Sequence, residues 1–239
     1  MKYTKFKFKH KETIVTVLAE NDNQYNKAVS AILQARRRIE EMIKRDPYFL
    51  TTYEPYDGKG NSEIVEKMIH ASRIANVGPM ACVAGAIAGY AVRAMLSEGN
   101  FAVVDNGGDI VIHSSEELSF GIYTPNDLSL GFKINPEGFY SICTSSGTVG
   151  HSVSFGFADA VTIFSKDPEI ADCFATRIGN EIKEEFSKKE IRDVLKKFWD
   201  SSKEYIDGIL IIKGDIIGKI GNVPKLIRMK VDYDLITKG

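Results

Sequence analysis

Tyr3-Thr4-Lys5-Phe6-Lys7-Phe8-Lys9 alternates without a break, which places aromatic side chains on one face of a strand and lysines on the other. Thr13-Ile14-Val15-Thr16-Val17-Leu18 is a second strand, and the two form a hairpin across His10-Lys11-Glu12. The lysine row reads as a solvated sheet face. The period then changes. Ala28, Ile32, Ala35, Ile39 and Ile43 follow the helical repeat within residues 24–45, and Asp46-Pro47 ends that helix. Residues 48–60 form an aromatic loop bearing Pro and Gly, compatible with a flap over a ligand or with a packed surface loop. Ser62 is placed to cap a helix with Val65, Met68 and Ile69 on its apolar stripe, running to about residue 76.

Residues 77–96 read VGPMACVAGAIAGYAVRAML. The run is long enough to raise a membrane span, but Pro79 near its start, Arg93 within it and its Gly and Ala content point to a buried central helix. Gly85 and Gly89, four apart, leave room for another backbone. Gly78-Pro79-Met80 starts the helix, either as a tight cap or with free N–H groups facing a phosphate. Strands follow at residues 101–104 and 109–112, joined through Asp105-Asn106-Gly107-Gly108, a strong hairpin signal. Further strands fall at residues 120–123, 130–134, 158–164, 206–213, 215–219 and 225–233, with residues 139–143 leading into a polar stretch and an amphipathic helix at residues 188–199. Strands in runs and helices in separate runs predict an α+β fold with largely antiparallel sheets and a buried Gly/Ala-rich helix. Residues 1–239 read as a single domain, with room for two intimate sub-regions divided near residues 100–150.

The chemistry concentrates between residues 144 and 180. Thr144, Ser145, Ser146, Gly147 and Thr148 make a small polar cluster ahead of His151. Asp167-Pro168 fits the cap and first turn of a helix over residues 168–180. Asp172 and Thr176 share one face of it, and a carboxylate beside a hydroxyl offers hard oxygen ligands suited to Mg²⁺ or Ca²⁺. The same two residues are also explained by the helix dipole and by a hydroxyl bonded to the preceding turn. His151 either relays a proton or packs as a neutral imidazole, and Asp159 is a second carboxylate or a strand-end residue.

Composition narrows the classes. A net charge of −1 gives no steering toward nucleic acid or an anionic membrane, and 44% hydrophobic content is ordinary for a soluble globule. Three scattered cysteines, Cys82, Cys143 and Cys173, without a CxxC, argue against a disulfide framework or zinc site. With no apolar leader in residues 1–11, a cytoplasmic location is expected. GxGxxG and Walker loops are absent.

Ala171-Asp172-Cys173-Phe174-Ala175-Thr176 resembles the Ala-Asp-x-x-x-Thr segment of the ApbE-like flavin transferases, enzymes that move FMN from FAD onto a protein threonine. Val77-Gly78-Pro79-Met80-Ala81, Asp105-Asn106-Gly107-Gly108-Asp109 and the segment from Thr144 to Ser152 resemble a shorter branch of that superfamily. The likeness covers nearly the whole chain. It implies an ApbE-like fold, Mg²⁺ held by Asp172 and Thr176 beside the pyrophosphate of FAD or a related nucleotide, and contacts to that ligand from Gly107, Gly108, Asp109 and Thr144 through Thr148. His151 and Cys143 become the catalytic candidates. The chain departs from the family where His-x-x-Asp-Pro-x-Thr-Gly is usual: Ser152-Val153-Ser154-Phe155-Gly156 follows His151 instead. Three readings stand: a Mg²⁺-dependent transferase of the FAD:protein FMN type, a noncatalytic binder of a flavin-like or other nucleotide diphosphate, and a cysteine-dependent protein of sulfide or sulfur assimilation using Cys143. The expected partner is a small-molecule nucleotide or flavin rather than nucleic acid or membrane, and a homo-oligomer is compatible with all three.

Overall fold

The opening alternation becomes an antiparallel hairpin in the computed structural model, which describes residues 3–125, 128–147 and 156–229. Strands β1 (Thr4–His10) and β2 (Thr13–Ala19) turn at Lys11, which takes a positive φ of 53°. Six more strands extend the sheet: β3 (Ala102–Asn106), β4 (Asp109–Ser114), β7 (Gly138–Ser145), β8 (Ala160–Ser165), β9 (Gly208–Lys213) and β10 (Ile216–Gly221). Their order is β1-β2-β3-β4-β7-β8-β9-β10, and every neighbouring pair is antiparallel. The remaining strands, β5 (Leu118–Ile122), β6 (Leu130–Ile134) and β11 (Lys225–Arg228), form a separate sheet in the order β11-β6-β5.

Both faces of the large sheet are covered, and the period-two pattern decides which residue goes where. Val104, Val111, Cys143, Ile163 and Ile211 point to one face and pack against helices. Val103, Ile112, Ile142, Phe164 and Ile212 point to the other and pack against Ile122, Phe132 and Ile134 of the small sheet. The strands between are therefore apolar on both sides, which explains their continuous rather than alternating sequences. The architecture is α+β with antiparallel sheets, as the sequence implies.

Among the described residues six α-helices are formed: α1 (Asp22–Arg45), the single turn α2 (Tyr48–Thr51), α3 (Glu63–Ala75), α4 (Val83–Met95), α5 (Pro168–Glu181) and α6 (Lys188–Ser202). Asn21 caps α1 by accepting from the Gln24 N–H at 2.9 Å, and a capping box of Ser187 and Glu190 opens α6. Ser62 holds the N-cap position of α3 without a capping bond; its hydroxyl donates to Asn61 Oδ1 at 3.0 Å. The Gly/Ala-rich run is shorter than one helix over residues 77–96. Pro79–Cys82 forms a 3-10 turn, and α4 begins only after Cys82 leaves the helical region at φ −120°, ψ 21°. α3 and the Pro79–Met95 segment bend by 107°, and no single helix among the described residues is long and apolar enough to cross a membrane. Ala86, Ala88, Ala91 and Val92 of α4 are fully buried, between α1, α5 and strands β3 and β4.

Two glycines set the spacing of α4 and α5. A Cβ at Gly85 would come within 2.7 Å of the Pro168 carbonyl oxygen and 2.9 Å of the Asp172 Cβ; one at Gly89 would meet the Pro168 ring at 2.6 Å. In an open helix Gly→Ala gains about 1 kcal/mol of helix propensity. Here backbone must move, so Gly85→Ala is expected to lose about 1–3 kcal/mol net in urea unfolding. A more stable Gly85→Ala protein would show that α5 does not lie against this glycine.

Candidate functional site

The β3–β4 hairpin turns on Gly107 and Gly108, whose φ values of 72° and 104° are cheap only for glycine. Asp105 tightens the turn, its Oδ1 accepting from the Gly108 N–H at 2.9 Å. Asn106 and Asp109 face each other across the pair. Asn106 donates from Nδ2 to the Ala84 carbonyl at 3.1 Å, which ties the hairpin to the first turn of α4. Asp109 Oδ1 accepts from the Thr144 N–H at 3.2 Å, and Thr144 shares its hydroxyl with Thr162 at 2.9 Å. Two backbone donors expected to face a nucleotide, Gly108 N–H and Thr144 N–H, are thus engaged by carboxylates of this chain.

Asp167 caps α5 through the Ile170 N–H at 2.9 Å, and Pro168 occupies its first turn. That start fixes which residues face inward. Asp172 Oδ2 accepts from the Gly85 N–H at 2.9 Å, and one turn later Thr176 Oγ1 donates to the Ala81 carbonyl at 3.2 Å. Asp172 therefore receives an N–H of the first turn of α4, so that donor is used internally. Burial raises the Asp172 carboxyl to about 7, against the Gly85 hydrogen bond, and the Glu169 charge adds to the rise. Asp109 is pushed well above the carboxylate range by burial first and then by the Asp172 charge. Among the described residues, neither carboxylate has a cationic side chain within ion-pair distance.

Cys143 lies under this arrangement. It is fully buried, its Sγ 3.6 Å from the Pro168 carbonyl oxygen. Burial and the neighbouring Asp109 charge raise its thiol well above the usual value. A nucleophilic thiolate needs the reverse, an exposed and electropositive setting, so the placement of Cys143 counts against a catalytic role. Thr148 and His151 lie outside the described residues. Asp159 accepts from the Gly214 N–H at 2.7 Å, just ahead of β8.

Gly147 is held from two sides. Its N–H donates to the Ala158 carbonyl at 2.9 Å, and any Cβ on it would collide with the Gly156 carbonyl. Gly156 stands in the same relation to the Gly179 carbonyl, and a Cβ on Gly179 would lie 3.2 Å from Ser145 Oγ. The end of the polar cluster is thereby laid on the last turns of α5. Gly156 and Gly179 are missed by any local reading, because their partners are far along the chain. Glu169 is missed too: it is buried, pairs with Arg93 at 3.1 Å, and leaves Oε2 without a hydrogen-bond partner. The charged residue inside the apolar run, Arg93, is the signal that a buried acid should exist.

The family described as AbpE bacteria matches residues 1–202. A UPF0280 protein from Archaeoglobus fulgidus is 50% identical over 236 residues, covering 98% of this chain and 99% of its own. Another, from Methanothrix thermoacetophila, is 45% identical over 238 residues, covering 97% and 98%. Among solved structures, the flavin transferase ApbE from Vibrio cholerae superimposes with a TM-score of 0.61 at 12% identity, covering 92% of this chain and 97% of that one. An ApbE protein from Thermotoga maritima gives 0.55 at 14% identity, covering 99% and 100%.

The buried Asp172 makes stability depend on pH. Its carboxyl ionises near 3.8 in the unfolded chain and at about 7 in the folded one. Below the lower value both states hold the proton and nothing is lost. Between the two the unfolded state releases it and the folded state does not, so stability falls as pH rises and then levels. Metal-free protein is expected to be more stable at pH 5 than at pH 8 by about 2–4 kcal/mol from this group. Asp172→Asn should reduce the difference in denaturant midpoints, leaving the part that the raised Asp109 carboxyl contributes; an unchanged pH dependence in that variant would remove Asp172 as a source.

Proposed function

Because the chain belongs to the AbpE bacteria family and carries the fold of the ApbE flavin transferases, we propose that it binds a phosphate-bearing, flavin-like nucleotide with Mg²⁺ between the β3–β4 hairpin, the end of β7 and α5. One observation carries the reading: the Asp172 carboxylate meets the Gly85 N–H of α4 at 2.9 Å and, one turn along α5, the Thr176 hydroxyl meets the Ala81 carbonyl oxygen at 3.2 Å, so three oxygen donors line the seam between the two segments. Those are hard oxygen donors of the kind Mg²⁺ takes, and the buried Asp109 and Asp172 carboxylates lack the positive charge a divalent cation supplies. Asp172, Thr176 and Ala81 would hold it. A bound cation would supply positive charge against the negative oxygens of a diphosphate. The chain's own residues orient that group: Gly107 at the hairpin tip, Ser145 and Ser146 at the end of β7, and Gly147 laid on Gly156.

FMN transfer from FAD to a protein threonine is the narrower form of this reading. The Vibrio cholerae structural neighbour is a flavin transferase, which favours it, whereas Ser152-Val153-Ser154-Phe155-Gly156 stands where the flavin transferases usually carry Asp-Pro-x-Thr-Gly. Nucleotide binding does not depend on that run, since phosphate contacts come from loop, helix and cation. The Cys143 reading has no comparable support, given the burial of its thiol.

Calorimetric titration of FAD, FMN and ADP with and without Mg²⁺ tests the reading. Binding of FAD or ADP is expected to require Mg²⁺ and to weaken by roughly tenfold or more in Asp172→Ala and Thr176→Val. Equal, metal-independent binding by wild type and variants, or no binding of any of the three, would defeat it. Covalent FMN on a threonine-bearing acceptor peptide would establish the transferase.

A further inference from the structure

We propose that Cys82 and Cys173 are a redox pair that closes to a disulfide, fastening the 3-10 turn Pro79–Cys82 to α5 beside the candidate site. Two contacts bracket the pair. Ala81 receives the Thr176 hydroxyl at 3.2 Å, and Gly85 donates to Asp172 at 2.9 Å, so the two segments run past each other in opposite directions. Cys82 follows Ala81 and Cys173 follows Asp172, which puts both residues inside the bracket. Both are fully buried in the same core. Each thiol shifts the other's ionisation, as near neighbours do, and the Cys82 Sγ is 3.4 Å from the Pro79 carbonyl oxygen. Cys143 is set apart, on β7, against the Pro168 carbonyl and Asp109.

Burial makes the pair slow to react and selective. Direct attack on an external disulfide requires the turn and α5 to separate, so the rate follows local opening rather than thiol acidity. The co-reactant is a low-molecular-weight disulfide. One cysteine sulfur attacks it and expels one small thiol, forming a mixed disulfide; the second cysteine attacks that protein sulfur and expels the other small thiol. The two cysteine protons end on the two small thiols, the protein loses two electrons, and the co-reactant gains them. On reclosure the S–S bond is buried, and small reductants reach it no faster than small oxidants reached the thiols. The cross-link stands on these contacts whether or not the site binds a metal.

Hydroxyethyl disulfide is the probe, incubated with the full-length protein in sub-denaturing urea, followed by intact mass and peptide mapping. The expected result is loss of two hydrogen atoms, a Cys82–Cys173 cross-linked peptide, and a thermal midpoint raised by on the order of 5–10 °C and restored by dithiothreitol. Cys173→Ala should abolish the cross-link, and Cys143→Ala should keep it; peptide mapping of wild type decides the matter if either variant fails to fold. A dominant cross-link through Cys143, mixed disulfides that stay open at Cys82 or Cys173, or free thiols at both positions under conditions that oxidise the fully unfolded chain would overturn the proposal.

Discussion

The closeness of α5 to α4 is the constraint from which the rest of this region follows. Gly85 and Gly89 remove side-chain volume where Pro168 and Asp172 arrive, and that alone lets a carboxylate on one helix reach an N–H of the other. A larger residue at either glycine separates the helices, and the Asp172–Gly85 and Thr176–Ala81 bonds fail together. The hairpin depends on the same contact at one remove, since Asn106 is tied to Ala84 in the same turn of α4. Helix, helix and hairpin therefore share a single register, set by a backbone approach rather than by apolar side-chain fit.

Electrostatics make this region expensive. Asp109, Glu169 and Asp172 are all buried, and Arg93 is the cation that meets one of them, with its guanidinium also over the Phe139 ring. A chain selected only for stability would replace such acids with apolar residues of similar volume, since a buried ion pair is weak support for stability. Retaining them where α4, α5 and the hairpin converge fits a place that trades stability for binding.

Local chemistry was legible where it is self-contained. Asp167-Pro168 announces α5 because a cap and a fixed φ need no distant partner, and Asn106-Gly107-Gly108 announces the hairpin because only glycine accepts its turn cheaply. Asp172 and Thr176 were visible as one helical face. What they touch was not, since Gly85 and Ala81 lie some ninety residues away in a run that reads as uniformly apolar. The break after Cys82 was hidden for the same reason: composition continues smoothly across it while the backbone does not. Gly156 and Gly179 resemble ordinary loop and helix-end glycines, and Ser62 shows the opposite failure, a capping residue in place whose hydroxyl turns to Asn61 instead.

Among the described residues the large sheet is open, and β1 is one of its two ends. Its outer row of backbone N–H and C=O groups is an invitation to another strand, whether from a second copy or from a misfolded neighbour. Lys5, Lys7 and Lys9 are all exposed there, between Phe6 and Phe8, which turn inward. A second β1 aligned alongside would bring like charges into register at every other position. The opening alternation of the chain therefore does two jobs with one period: its aromatics seal the helical core, and its lysines deny the edge to self-recruitment.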